Sequence, residues 1–246
     1  MEASFHVRLI GTFAPDLIWA PVDAEATRWL ADNGPDYDQF PVRRGDAAVG
    51  VLLRQGDHRG KRVMEAMQPL SDGLIVSSHM PIADLIPELG EGHYRLILRG
   101  SRIDGLVTQS DLLKLPVRML LFGLISHLEI CLRALVRERA PWPTWLELLK
   151  PHRRETVIAR LAGLKNMRLE PDPLEFTDFS DVLHVLARQP DLAGGFEAEA
   201  ETIRKLRNDI AHSKTYITSP ADIRRFVDQF AFVRAWIDSV SQMLKR

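Results

Sequence analysis

The chain has 246 residues, 46% apolar and 26% charged, which supplies a core and excludes a chain kept disordered by charge. Its length accommodates two domains better than one. The formal net charge is −1, but it is spread unevenly: 12 basic and 16 acidic residues precede Leu115, while 20 and 17 follow from there on, and the more basic half points mildly toward a polyanionic partner.

The N-terminus, Met1-Glu2-Ala3-Ser4-Phe5, lacks the basic region and long apolar stretch of a secretory signal, so a cytoplasmic location is expected. Short β-like runs then alternate with helical stretches as far as Leu113. Ala24 to Asn33 reads as a helix. Phe40 to Leu53 reads as strand, turn, strand, with Gly45-Asp46 at the turn. The pattern returns as a helical stretch from Ile82 to Leu89 and a second strand-turn-strand from Tyr94 to Thr108. Two similar βαββα units are expected to stack together.

These repeats resemble a pair of CBS motifs over most of residues 5 to 115. The likeness is strongest at Gly105-Leu106-Val107-Thr108-Gln109-Ser110-Asp111-Leu112-Leu113. It implies that Thr108 contacts phosphate and that Asp111 accepts hydrogen bonds from the ribose hydroxyls of an adenine nucleotide, whether ATP, ADP, AMP or a cyclic form, acting as a regulatory ligand. The same two residues also suit the N-terminal cap of a helix, and the two readings are compatible. In the first repeat Leu53 and Gly56 stand at the matching positions, so one of the two potential sites is equipped.

From Pro116 onward the period is helical. Helices are expected at Pro116 to Ala140, Thr144 to Leu149, Arg154 to Asn166, Phe179 to Arg188, Glu197 to His212 and Ala221 to Leu244, packed as an antiparallel bundle. The apolar run from Leu115 to Leu135 is interrupted by Arg118, His127, Glu129 and Arg133, which marks a core helix of a soluble domain and no membrane span. Cys131 lies in this run as a small buried hydrophobe, and one cysteine allows no disulfide framework. His6, His58, His79, His93 and His152 lack metal-ligand spacing, so no metal site is expected.

In the penultimate helix Ile203, Leu206 and Ile210 share a core face, while Asn208 and His212 fall on the opposite side and Arg207 lies close to the core stripe. Arg207-Asn208-Asp209-Ile210-Ala211-His212, late in an all-helical domain, resembles the motif of HEPN ribonucleases. That resemblance implies cleavage of RNA without a metal or other catalytic cofactor, leaving a 2′,3′-cyclic phosphate and a 5′-hydroxyl. It makes His212 the acid or base, Arg207 the group that stabilises charge on phosphate, and Asn208 an orienting amide. It also implies a homodimer facing two motifs across a cleft, and a toxin, stress-response or phage-defence role. Glu129 and Arg133 resemble a pair found near such motifs, with Glu129 orienting the site; an ordinary i,i+4 ion pair is the other reading. For the motif itself the alternative is structural: His212 at a helix C-terminus, and Arg207 bridged to Glu201 or Asp209.

The expected architecture is therefore α+β: a tandem CBS module over residues 1–115, then a helical HEPN domain over residues 116–246. The expected function is a nucleotide-gated endoribonuclease, with a non-catalytic, nucleotide-sensing dimeric scaffold as the alternative.

Overall fold

A computed structural model of the chain describes residues 4–165, 171–189, 197–211 and 215–245. It divides into two compact units, Met1–Leu120 and Leu121–Arg246, so the division falls inside the helix that the sequence places at the start of the second domain.

The N-terminal unit contains, in order, β1 (Thr12–Phe13), β2 (Ala20–Pro21), α1 (Ala26–Asp32), β3 (Gln39–Arg44), β4 (Ala47–Leu53), α2 (Val63–Ala66) and β5 (Gln68–Pro69). There follow β6 (Ile75–Ser77), α3 (Ile82–Glu91), β7 (Tyr94–Arg99) and β8 (Arg102–Thr108). The strands form two sheets of four, β2-β3-β4-β5 and β6-β7-β8-β1. In each sheet the first pair is parallel and the other two are antiparallel.

One constant offset relates the two hairpins: Gln39 matches Tyr94, Gly45 matches Gly100 and Leu53 matches Thr108. Both turns need a left-handed residue, with φ of 58° at Gly45 and 64° at Gly100, and both ladders break register at the same place, Val42/Arg43 and Ile97/Leu98. The edge strands are exchanged. β5 precedes the second repeat yet closes the first sheet, and β1 precedes the first repeat yet closes the second. Where these edges cross there is no room for a side chain: a Cβ at Gly50 would lie 2.2 Å from the Gln68 carbonyl oxygen, and one at Gly105 would lie 2.5 Å from the Phe13 ring. Phe40, Val42 and Leu52 pack with Leu30 of α1 and Val63 in one core cluster. A second cluster joins Val51 of the first repeat to Tyr94, Leu96 and Leu106 of the second.

The expected closing helices are shorter than a βαββα reading implies. The first shrinks to the single turn α2, and the second is a 3-10 turn, Gln109–Leu113, before the next helix begins at Leu115. Pro116 accounts for the latter break, because it has no N–H with which to continue a helix from the preceding turn.

The second unit is built on α4 (Leu115–Arg139), α5 (Thr144–Leu148), α6 (Pro151–Lys165), α7 (Phe179–Leu186), α8 (Glu197–Ala211) and α9 (Pro220–Met243). Among the described residues from Leu121 onward the regular elements are all helical. Leu124, Ile125, Leu128, Leu132 and Leu135 of α4 are buried, as are Phe226, Phe230, Val233 and Val240 of α9. Helix α7 packs against α5 and α8, and α8 against α9. By length and composition α4 is also apolar enough to cross a membrane; half of its most apolar window is buried within the protein. Ser219 caps α9 by accepting from the Asp222 N–H, and Pro220 occupies the first turn.

Candidate functional site

Two groups of side chains are candidate sites, one in each unit. In the N-terminal unit a cavity of about 340 Å³ opens between the end of β8, the loop leading into β3 and the segment after β1. Thr108, Ser110, Asp111 and Lys114 line one side, Tyr37 and Phe40 another, and Asp16, Asp36 and Asp38 stand at its wall.

Both readings of Thr108 and Asp111 meet here. Asp111 is 6% exposed and closes a capping box: its Oδ2 accepts from the Thr108 N–H at 2.6 Å and from Thr108 Oγ1 at 3.3 Å. Its Oδ1 is 2.6 Å from Lys114 Nζ, which also donates to the Ile10 carbonyl. The sequence-predicted pair therefore lines a cavity and caps a turn at once, although the turn is 3-10 rather than α-helical. The Thr108 hydroxyl donates to Asp111.

The loop that carries Asp36, Tyr37 and Asp38 is held by one side chain that the sequence did not single out. Arg54 donates from Nε to the Tyr37 carbonyl at 2.6 Å, from Nη1 to Leu30 at 2.9 Å, and from Nη2 to Asn33 and Gly34 at 3.0 and 2.6 Å. A planar cation with five donors is suited to gathering carbonyls in this way. At the matching position of the second repeat, Gln109 makes a smaller version of the clamp, donating from its amide to Leu89 at 2.7 Å. In the first repeat Leu53 and Gly56, the latter at φ 144°, supply neither hydroxyl nor carboxylate.

In the second unit α8 presents its expected core face: Ile203, Leu206 and Ile210 are all buried. Arg207 follows Leu206 around the helix and so lies beside that face, within reach of α4. Its Nε is 3.3 Å from Oε1 of Glu129, while Oε2 of Glu129 is 3.6 Å from Nη1 of Arg133. Arg133 also donates to the Thr177 carbonyl at 3.3 Å, which ties the cluster to the segment before α7. Glu129 is nearly enclosed, with a side chain 13% exposed, whereas that of Arg207 is 43% exposed. Asn208 offers its amide oxygen to Arg207 Nη1 at 3.5 Å.

The structure thus brings Arg207, Asn208 and Glu129 together, with Arg133 beside them. It corrects the expected structural partner of Arg207. Neither Glu201 nor Asp209 takes that place, because Glu201 pairs with Arg204 one turn along the same helix, and that hydrogen bond holds the Glu201 carboxyl below its ordinary pKa. His212 lies outside the described residues. Among the described residues no group of three or more His, Cys, Asp or Glu is arranged to hold a metal ion.

No protein-family model matches the chain, and no curated protein does. Among solved structures, the chain is similar to the CBS domain of a bacterial CNNM/CorC family Mg2+ transporter in complex with ATP: 24% identity over 44% of this chain and 84% of that one, TM-score 0.38. A CBS-pair protein from Arabidopsis thaliana matches at 17% identity over 48% and 94%, TM-score 0.38. A conserved protein from Pyrococcus horikoshii matches at 18% identity over 46% and 92%, TM-score 0.38.

Proposed function

We propose that this protein is a HEPN-type endoribonuclease whose activity responds to an adenine nucleotide held in the cavity of its N-terminal unit. The observation that carries the ribonuclease reading is the position of Arg207. Its guanidinium is held by the nearly buried Glu129 on another helix, yet much of it stays open to solvent, as a group that must meet a phosphate requires. Anchoring on one side lowers the entropy lost when the other side engages substrate.

The reaction follows from the residues. A ribose 2′-oxygen loses its proton and attacks the neighbouring phosphorus, the bond to the 5′-oxygen breaks, and that oxygen takes up a proton as it leaves. His212 serves as the acid or base, Arg207 stabilises the charge on the pentavalent phosphate, and Asn208 orients the phosphate or the imidazole. No step in this scheme calls for a metal ion.

One copy of the motif provides a single Arg and a single His, whereas in-line transfer benefits from a base and an acid on opposite sides of the phosphorus. A homodimer is the reading that supplies both. Phe122 and Ile130 of α4, 49% and 62% exposed, support it, since solvent-facing apolar side chains on the helix that carries Glu129 suit a protein interface. The place of Thr108 and Asp111 in the wall of a cavity supports the ligand reading. A ligand regulates only as far as it binds the active and inactive forms with different affinity. A cytoplasmic toxin, stress-response or phage-defence enzyme is the cellular role proposed with this activity.

The test is incubation of total RNA in EDTA with the wild-type protein, His212→Ala and Arg207→Ala, with and without ATP, ADP, AMP and cyclic adenine nucleotides. Cleavage by the wild type alone, leaving cyclic-phosphate ends, is expected. RNA binding without cleavage by a folded dimer would replace the enzyme with a nucleotide-sensing scaffold, for which the Glu129–Arg207 pair would serve as an internal brace.

A further inference from the structure

The charge and donor inventory of the N-terminal cavity narrows its ligand, on the reading that the cavity is an adenosine site. Among the described residues that line it, Lys114 is the one cation, set against the carboxylates of Asp16, Asp36, Asp38 and Asp111. That cation is already engaged, with Asp111 Oδ1 2.6 Å away and the Ile10 carbonyl accepting from it as well. The Thr108 hydroxyl, which would otherwise donate to a phosphate, donates to Asp111 Oδ2.

A phosphate carries acceptors only and needs donors or cations around it. This wall adds the hydroxyls of Thr12 and Ser110 and the amide of Gln39, but it sets four carboxylates against one engaged cation. A ribose diol and the amino group of an adenine are donors, which carboxylates accept. Tyr37, 55% exposed at the rim, provides an aromatic face against which a base can lie. At about 340 Å³ the cavity is also near the small end of the range for ligand pockets, about 300 to 1,000 Å³.

We infer that the cavity binds the nucleoside part of an adenine ligand and discriminates against its phosphates, so that affinity falls as phosphates are added and rises if the 5′ position carries a positive charge. The predicted order is 5′-amino-5′-deoxyadenosine, adenosine, AMP and ATP, from tightest to weakest.

The experiment is titration calorimetry of the full chain with these four compounds in EDTA, at low and at high salt. At low salt ATP is expected to bind about tenfold or more weakly than adenosine, and high salt should narrow that ratio, since the repulsion acts between solvent-accessible charges. In the double variant Asp36→Asn/Asp38→Asn the ratio of ATP to adenosine affinity should rise severalfold. ATP or AMP binding the wild type as tightly as adenosine would overturn the inference, as would a ratio that the double variant leaves in place. No heat and no thermal stabilisation from any of the four at millimolar concentration would instead overturn the adenosine-site reading beneath it.

Discussion

Glu129 shows how much one side chain can be asked to do. It sits between two guanidiniums, Arg133 on its own helix and Arg207 on α8, and it is the most enclosed of the three. Glu129→Gln keeps the volume and removes the charge, which leaves two cations facing each other beside a neutral amide. The cost should be about 1 to 2 kcal/mol of stability, below the usual figure for breaking a buried pair because Arg207 is partly exposed. In the proposed enzyme the same change frees Arg207, so cleavage should fall about tenfold or more through kcat with little change in KM. Thermal melts and steady-state kinetics on one preparation separate the two effects. A variant that melts earlier but cleaves at the wild-type rate would make Glu129 a brace with no positioning role. Only part of this arrangement was legible in the sequence. The spacing of Glu129 and Arg133 exposes their pairing, and the wheel of α8 places Arg207 beside the core stripe. Periodicity describes the faces of one helix, however, and says nothing of which neighbour a face meets, so the pairing of Arg207 with Glu129 could not be read from it.

Between elements, the contact with the clearest consequence joins α6 to α7. Arg153 Nε lies 3.0 and 2.9 Å from the two carboxylate oxygens of Asp181, which is 6% exposed, and Asp178 is 3.3 Å from Arg153 Nη2. The hydrogen bonds that Arg153 donates to the Asp181 carboxylate hold the Arg153 pKa above its ordinary value. Asp181 also accepts from the Asp178 N–H and so closes the α7 capping box. Arg153→Met leaves a buried carboxylate without its cation, a loss of about 3 kcal/mol at neutral pH. Chemical denaturation of both proteins at pH 7 should show this loss as a lower midpoint at an unchanged slope. The long helices that frame this contact agree with their sequence boundaries to within a few residues, because many turns of one period reinforce each other. Strands β1, β2, β5 and β6 escaped because two or three residues carry no period. The exchange of β1 and β5 between sheets escaped because it is a pairing across the chain rather than a pattern along it.

At the scale of the molecule, the chain divides into two compact units, and this sets how the protein should unfold. Val7, Phe40, Leu96 and their neighbours are buried in the first unit, and Leu132, Phe226 and Phe230 in the second, so each can lose its packing at its own temperature. Scanning calorimetry should therefore depart from a two-state transition, with a calorimetric enthalpy above the van't Hoff value. Local perturbations assign the components. Arg153→Met weakens the second unit and should move one component down, whereas saturating adenosine binds the first unit and should move the other up, by about 2.7 kcal/mol of added stability at one hundred times Kd. A single sharp transition that both perturbations shift would mean that helix α4 makes the two units one cooperative body. That outcome would hand the proposed regulation its physical link, because free energy released by a ligand in the cavity would then be felt at Glu129 and Arg207. Separate transitions would confine that link to the folded state, where a change in cleavage rate on adding adenosine is its only visible sign.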